Sequence, residues 1–285
     1  MNDPESSFGE ILRRWRRQRG LTQLSLANQA DISARHLCFL ETGRAQPSRD
    51  MLLRLAEHLQ VPLRDRNSLL MAAGFAAVFP ERPLADPALA VVRKAIDLIL
   101  QAHDPYPAFA VDRYWTLVAS NNALRPFLGD VDSSLLHPPV NVLRLTLHPQ
   151  GLAPRLANYH QWRSHVLIKL SGQVLATADS RLSALLQELQ DYAMPVGIPR
   201  ECESSNCEDW HRLVVPFQLA TDFGILSFYS TTTIFGTPID TALSELSLEL
   251  FYPADKATVD ALRRDSDRTR NDAPIAANSS PSSAQ

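Results

Sequence analysis

From Phe8 onward, apolar residues return every three or four positions. Phe8, Ile11, Leu12 and Trp15 share one side of a helix whose other side carries arginines. Gly20 stops it. Thr22 then caps a helix over Gln23 to Gln29, and Ser33 caps another over Ala34 to Leu40 that ends near Gly43. Pro47-Ser48 opens a fourth helix with Met51, Leu52, Leu55, Ala56 and Leu59 inward, and Pro62 opens a fifth running to about Ala73. Five short helices in so short a stretch predict one all-α domain over 8–78, preceded by an arm at 1–7. Pro80 and Pro83 interrupt the pattern, which places a linker at 79–86.

Beyond the linker, Pro87 to Gln101 reads as an amphipathic helix. The period then changes to two: Ala108-Phe109-Ala110-Val111 and Trp115-Thr116-Leu117-Val118-Ala119 flank Asp112-Arg113 as in a hairpin. A short helix follows over Asn121 to Leu128. Leu152, Leu156, Tyr159, Trp162, Val166, Leu170 and Val174 predict one long helix, and Ser180 to Tyr192 predicts a second behind it. Leu213 to Thr221, Gly224 to Phe235 and Leu243 to Tyr252 read as strands, and Ala254 to about Arg264 as a closing helix. The expected body, 87–265, is thus α+β, with a roughly five-stranded antiparallel sheet covered on one face by helices. The tail 266–285, rich in Ser, Asn and Ala, is expected to be disordered.

Composition adds two points. The 285 residues are 45% hydrophobic and 21% charged, enough for buried cores. The apolar run Ala72 to Phe79, which extends back to Leu69, is far short of the ~20 residues that span a bilayer. The acidic start Met1-Asn2-Asp3-Pro4-Glu5 lacks a leader's apolar core, and three cysteines do not make a disulfide scaffold, so the expected location is the cytoplasm without membrane insertion. The overall net charge of −3 is unevenly spread. Between Phe8 and Phe75 stand 11 Arg and no Lys against 6 acidic residues, whereas everything after Arg82 is net acidic. A basic head on an acidic body suits a protein whose head alone sits on phosphates.

The run Leu21-Thr22-Gln23-Leu24-Ser25-Leu26-Ala27, with Ile32-Ser33, Leu37, Leu40-Glu41-Thr42-Gly43 and Pro47-Ser48, resembles the XRE-type (phage repressor and Cro-like) helix-turn-helix family. The resemblance covers about residues 8–75. It implies that the second helix of the pair enters the major groove of double-stranded DNA, with Ala34, Arg35, Cys38 and Phe39 toward the bases and His36 beside them. Arg35 would then donate two bonds to guanine, and Ala34 and Phe39 would meet thymine methyls. Gln23, Ser33, Thr42 and Arg44 match positions that grip the DNA backbone. Glu41 matches a structural acidic position, read as holding the following loop. Positions often Gln or Asn in phage repressors are Ala and Phe here, so the resemblance gives the docking mode but not the operator sequence. One such head covers few base pairs, and a homodimer on two half-sites is expected.

A second resemblance, over about residues 85–265, is to the MmyB-like ligand-binding domain. It is carried by His103-Asp104-Pro105-Tyr106-Pro107-Ala108, Asp112-Arg113-Tyr114-Trp115, Ala119-Ser120-Asn121, Asn141-Val142-Leu143-Arg144-Leu145, Leu147-His148-Pro149 and Gly151-Leu152. Thr233-Ile234-Phe235-Gly236-Thr237-Pro238-Ile239-Asp240 and Glu249-Leu250-Phe251-Tyr252-Pro253-Ala254-Asp255 complete it. The resemblance implies a PAS-like sheet around an apolar cavity that takes a small apolar or fatty-acid-like ligand. The residues agree with that: Trp115, Phe127, Tyr159, Trp162 and Phe228 offer aromatic surface for a pocket, and His165 or Arg163 could anchor a carboxylate. The competing reading makes the body a dimerisation module with no ligand.

No reactive constellation emerges, so an enzyme is not expected. His160 and His165 lack the zinc-peptidase pattern, and there is neither a Gly-x-Ser-x-Gly elbow nor a P-loop. Cys202, Cys207 and His211 have no fourth partner for zinc, and the two thiols, which a redox trigger would pair, read as free cysteines in an acidic loop. No cofactor and no metal are expected.

Overall fold

A computed structural model describes residues 7–83, 86–177, 179–198, 214–235 and 240–271, with side chains through Arg264. The head consists of α1 (Phe8–Gln18), α2 (Gln23–Gln29), α3 (Ala34–Glu41), α4 (Arg49–His58) and α5 (Leu63–Ala72). Hydroxyl caps set four of its helix starts. Ser7 and Glu10 form a reciprocal capping box, and Thr22, Ser33 and Ser48 each accept the backbone N–H three residues on. Leu26, Leu37, Leu40, Leu52, Leu55 and Leu69 fill the interior. Gly9 lets α1 cross the end of α3: a Cβ there would lie 2.6 Å from the Glu41 carbonyl oxygen.

The body begins with a short 3-10 turn (Pro87–Leu89) that leads into α6 (Ala90–Ala102). Strands β1 (Ala108–Val111) and β2 (Leu117–Ser120) form the expected hairpin. After two 3-10 turns come α7 (Val142–Leu147), α8 (Tyr159–Thr177) and α9 (Ser180–Asp191), then β3 (Phe217–Thr221), β4 (Gly224–Ile234), α10 (Thr241–Ser244), β5 (Ser247–Pro253) and α11 (Lys256–Asn271). The five strands lie in the order β2-β1-β5-β4-β3, every pair antiparallel.

Four expectations are corrected. The long helix starts at Tyr159, not near Leu152: Pro154 sits inside a short 3-10 turn (Ala153–Arg155), and Leu156 leaves that turn in extended conformation to bridge Leu219 in β3. The freed segment packs on α7, where Gly151 fits so closely that a Cβ would lie 2.2 Å from the Leu145 carbonyl oxygen. The strand expected from Leu243 begins only at Ser247, since Asp240 caps the single turn of α10. Helices cover both faces of the sheet: α6 sets Ile96 and Leu100 against Ala108, Ala110 and Leu248, opposite the main core. Finally, the closing helix continues to Asn271, past the expected tail boundary.

Alternation along β1 and β5 explains the two layers. Phe109 and Val111 join Phe251 in the main core, while Ala108, Ala110, Leu248 and Leu250 belong to the α6 side. The main core gathers α7, α8 and α9 over the sheet, and the cavity lies within it.

Candidate functional site

In the head, α3 is held from below by a buried ion cluster. Arg16 of α1 donates to both oxygens of Glu41, at 2.5 and 2.9 Å, and a third bond runs from Arg16 to the Leu21 carbonyl. Arg13 adds a longer bond of 3.4 Å, and Gln23 of α2 donates to Glu41 at 2.8 Å. Burial works to raise the Glu41 carboxyl, but the bonds from Arg16, Gln23 and Arg13 outweigh it and bring it below its ordinary value. Glu41 therefore ties α1 and α2 to α3. The expectation that it holds the following loop is corrected.

The outward side of α3 carries Arg35, exposed, with Ala34, His36, Cys38 and Phe39 half-buried around it. The Arg35 guanidinium lies over the Phe39 ring, 5.4 Å from its centre, so the two side chains brace one another one helical turn apart. Among the residues matched to backbone-gripping positions, Arg44, Ser33 and Thr42 are exposed and Gln23 is half-buried. Ser33, Thr42 and Gln23 already have internal bonds. Ser33 accepts from the His36 amide, Thr42 donates its hydroxyl proton to the Cys38 carbonyl, and Gln23 gives one amide proton to Glu41, keeping a second. Thr42 is thus committed as a donor and would meet a phosphate only by giving up that bond.

In the body, an apolar cavity of about 310 Å³ lies between the sheet and α7 and α8. That size is at the lower end of the ~300–1,000 Å³ usual for small-molecule pockets. Trp115, Phe127, Trp162, His165 and Phe228 line it. Tyr159 and Arg163 do not. Tyr159 is buried in the core beside the cavity, and Arg163 points away, donating to the Gln190 carbonyl at 2.8 Å.

The local sequence holds this wall in place. Asp112 Oδ1 accepts from the amides of Tyr114 and Thr116, and Asn141, while capping α7, donates to the Tyr114 carbonyl. These bonds fix Trp115 at φ +63°, a left-handed conformation costly for a bulky residue. Its indole N–H donates to Gln173 at 2.8 Å.

Sequence reasoning missed the cavity's polar end. Lys169 of α8 and Glu249 of β5 line it, paired at 3.0 Å, with the Thr232 hydroxyl bonded to both. The Lys169 ammonium also sits 4.7 Å from the centre of the Trp115 ring. His165, stacked on Trp162, is pushed below its ordinary value by burial and by Lys169, against a weaker opposite pull from Glu249, so its imidazole is neutral near pH 7. The signal for Glu249 was present: it shares a strand face with buried Phe251, where solvent would not be expected.

A polar crevice begins on the other side of this pair, where Trp115, Lys169 and Glu249 meet Arg113 and Glu245. Arg113 bridges Asp179 and Glu245, each at 2.8 Å. Glu245 in turn receives a two-point contact from Arg64 of the head's α5, at 2.9 and 3.1 Å. The head touches the body again where Gln18 of α1 donates to the Leu175 carbonyl of α8. Asn67 of α5 grips the start of the linker through Val78 and Phe79, and the Thr241 amide donates to the Pro80 carbonyl.

Cys202, Cys207 and His211, with Gly236-Thr237-Pro238-Ile239, lie outside the described residues. Among the described residues no cluster of His, Cys, Asp and Glu could hold a metal ion, and no helix is long and apolar enough to cross a membrane.

These features define a helix-turn-helix head joined to an α+β ligand-domain body. Comparison with protein families agrees: residues 7–69 match a helix-turn-helix domain, and residues 92–264 match the MmyB-like transcription regulator ligand binding domain. The chain belongs to that MmyB-like family. A search of curated proteins finds no match. One solved structure, an RNA-binding Light-Oxygen-Voltage receptor, is 13% identical over 95% of this chain and 64% of its own, with a TM-score of 0.25, too slight a likeness to bear on this fold. This chain therefore spans less than two thirds of that receptor's length.

Proposed function

We propose that the chain is a transcriptional regulator whose head binds an operator in double-stranded DNA and whose body binds a small apolar molecule that alters this binding. One observation carries the reading: an apolar cavity in the body ends on a charged pair that borders the ion network reaching Arg64 of the head. In the head, α3 presents its first turns to the major groove, Arg35 reads a base edge, and Arg44 and the spare proton of Gln23 hold phosphates. A ligand in the cavity biases the position of α8 and of the Trp115 turn. Both lie next to head contacts, Gln18–Leu175 and Arg64–Glu245, so two arrangements of head on body acquire different energies.

The test is binding of the full chain to duplex fragments of its own upstream region over a range of salt, with and without a bound alkyl alcohol. A steep loss of affinity with salt and a changed affinity with the alcohol are expected. Binding indifferent to both would sink the reading.

A second reading, the body as a dimerisation module without ligand, is favoured by one observation. Val91 and Leu98 stand 80% and 56% exposed one above the other on α6, an apolar face suited to a second copy. Sedimentation of wild type against Val91→Glu measures it. Loss of the dimer with ligand response intact would leave α6 as the interface and the cavity as the sensor.

A further inference from the structure

The polar end of the cavity is balanced in charge, and this constrains what it can take. Among the cavity-lining residues the titratable groups are His165, Lys169 and Glu249. Lys169 has three protons to give, and the geometry engages them with Glu249, with Thr232 and toward the Trp115 face. The bonds from Lys169 and Thr232 to Glu249 both fall on Oε1; among the described residues none falls on Oε2. The Glu249 side chain is 5% exposed. Ser230, two residues from Phe228 on the same strand face, adds a hydroxyl that can donate or accept.

A carboxylate entering this end meets a buried carboxylate. To reach the ammonium it must take Lys169 from Glu249, which leaves an unpaired buried anion in apolar surroundings, or else lie beside Glu249 with no cation of its own. An amine could donate to Glu249 Oε2 only by placing a second cation beside the Lys169 ammonium, which is itself a third exposed, so this end of the cavity would carry a net positive charge. A neutral head that both donates and accepts leaves the pair intact, with its proton to Glu249 Oε2 and its oxygen toward Ser230.

We infer that the cavity selects an uncharged amphiphile, an apolar chain ending in a hydroxyl or amide, in preference to a fatty acid or an alkyl amine. The inference rests on the cavity being a ligand site, as proposed above, and it replaces the carboxylate anchor expected from the sequence.

The test uses isothermal calorimetry on the full chain with decanol, decanoate and decylamine, three probes that share one apolar chain. Decanol is expected to bind, with both charged probes at least about tenfold weaker, the separation that a net buried charge imposes. Decanoate or decylamine binding as tightly as decanol would overturn the selectivity while leaving the cavity as a ligand site. No binding of any probe would overturn both. In Glu249→Gln, Lys169 loses its anion and becomes available, so decanoate should gain at least about tenfold relative to decanol. An unchanged ratio would place the selectivity elsewhere and reject the assignment. The wild-type series is decisive by itself should that variant fold poorly.

Discussion

Glu41 in the head and Glu249 in the body are both buried carboxylates facing a cation, yet they are held differently. Glu41 takes two bonds from the rigid fork of Arg16, with Arg13 and Gln23 filling in, and lies apart from the body's cavity. Glu249 has a single ammonium at the end of a flexible stem, shared with a hydroxyl and an aromatic face, on the wall of a cavity. A planar guanidinium with several fixed bonds locks three helices into one angle. A point charge can turn toward something new without losing its whole environment. The difference separates a part that must hold its shape from a part that can answer to an occupant.

The largest effect should come from breaking the locked pair. Glu41→Ala leaves Arg16 buried without its anion and is expected to cost about 3–5 kcal/mol, read by denaturant unfolding. Acid should act on the same point. Because the folded state lowers the Glu41 carboxyl, its contribution is complete above the ordinary value for a glutamate and is lost as pH falls through the lowered one. Hydrogen exchange on a descending pH series should show the α1–α3 junction loosening only once pH falls below the ordinary glutamate value.

Occupying the cavity sharpens the contrast from the other side. Decanol at a hundred times its dissociation constant should stabilise the body by about 2.7 kcal/mol. Exchange protection should then rise in α8 and β5 and stay flat in the α1–α5 core; a rise confined to the head would reverse the assignment of roles.

Next in size is the α3 surface. Arg35→Ala should cost about 1–3 kcal/mol at one base position and relax selectivity there, whereas Gln23→Ala should weaken all sequences alike, as competition titrations on randomised duplexes can separate. Smallest in stability is the bridge between the two parts. Arg64 is partly exposed, so Arg64→Met should change unfolding by less than about 1 kcal/mol. Its mark is elsewhere: operator affinity should cease to respond to the alcohol while each site binds as before. A response left intact would mean that the Gln18–Leu175 contact or the linker carries the signal.

The head was legible because its information is local. Thr22, Ser33 and Ser48 announce their helices within three residues, and the leucine spacing declares the buried side without reference to the rest of the chain. The sheet was legible from alternation, though not the start of β5, where Asp240 redirects the backbone for one turn. The cavity was only half legible. Trp115, Phe127, Trp162 and Phe228 are large enough to be guessed as lining, but Tyr159 looks the same in sequence and lies beside the cavity instead. Lys169 and Glu249 are 80 positions apart and meet because β5 sits in the middle of the sheet beneath α8. No periodicity within either segment encodes that meeting. Likewise, Leu152 and Leu156 continue the helical spacing of α8 faithfully, and only Pro154 marks where it is broken.

The placement of Trp115 and Trp162 has a practical side. Both indoles belong to the cavity wall, one beneath an ammonium and the other stacked on a neutral imidazole, whereas Trp15 is sealed in the head. A molecule entering that cavity would change the polarity around the first two and not around Trp15, while the fourth tryptophan, Trp210, lies outside the described residues. On the proposed reading the protein carries its own optical gauge of occupancy, readable as a shift in ultraviolet emission without any attached dye.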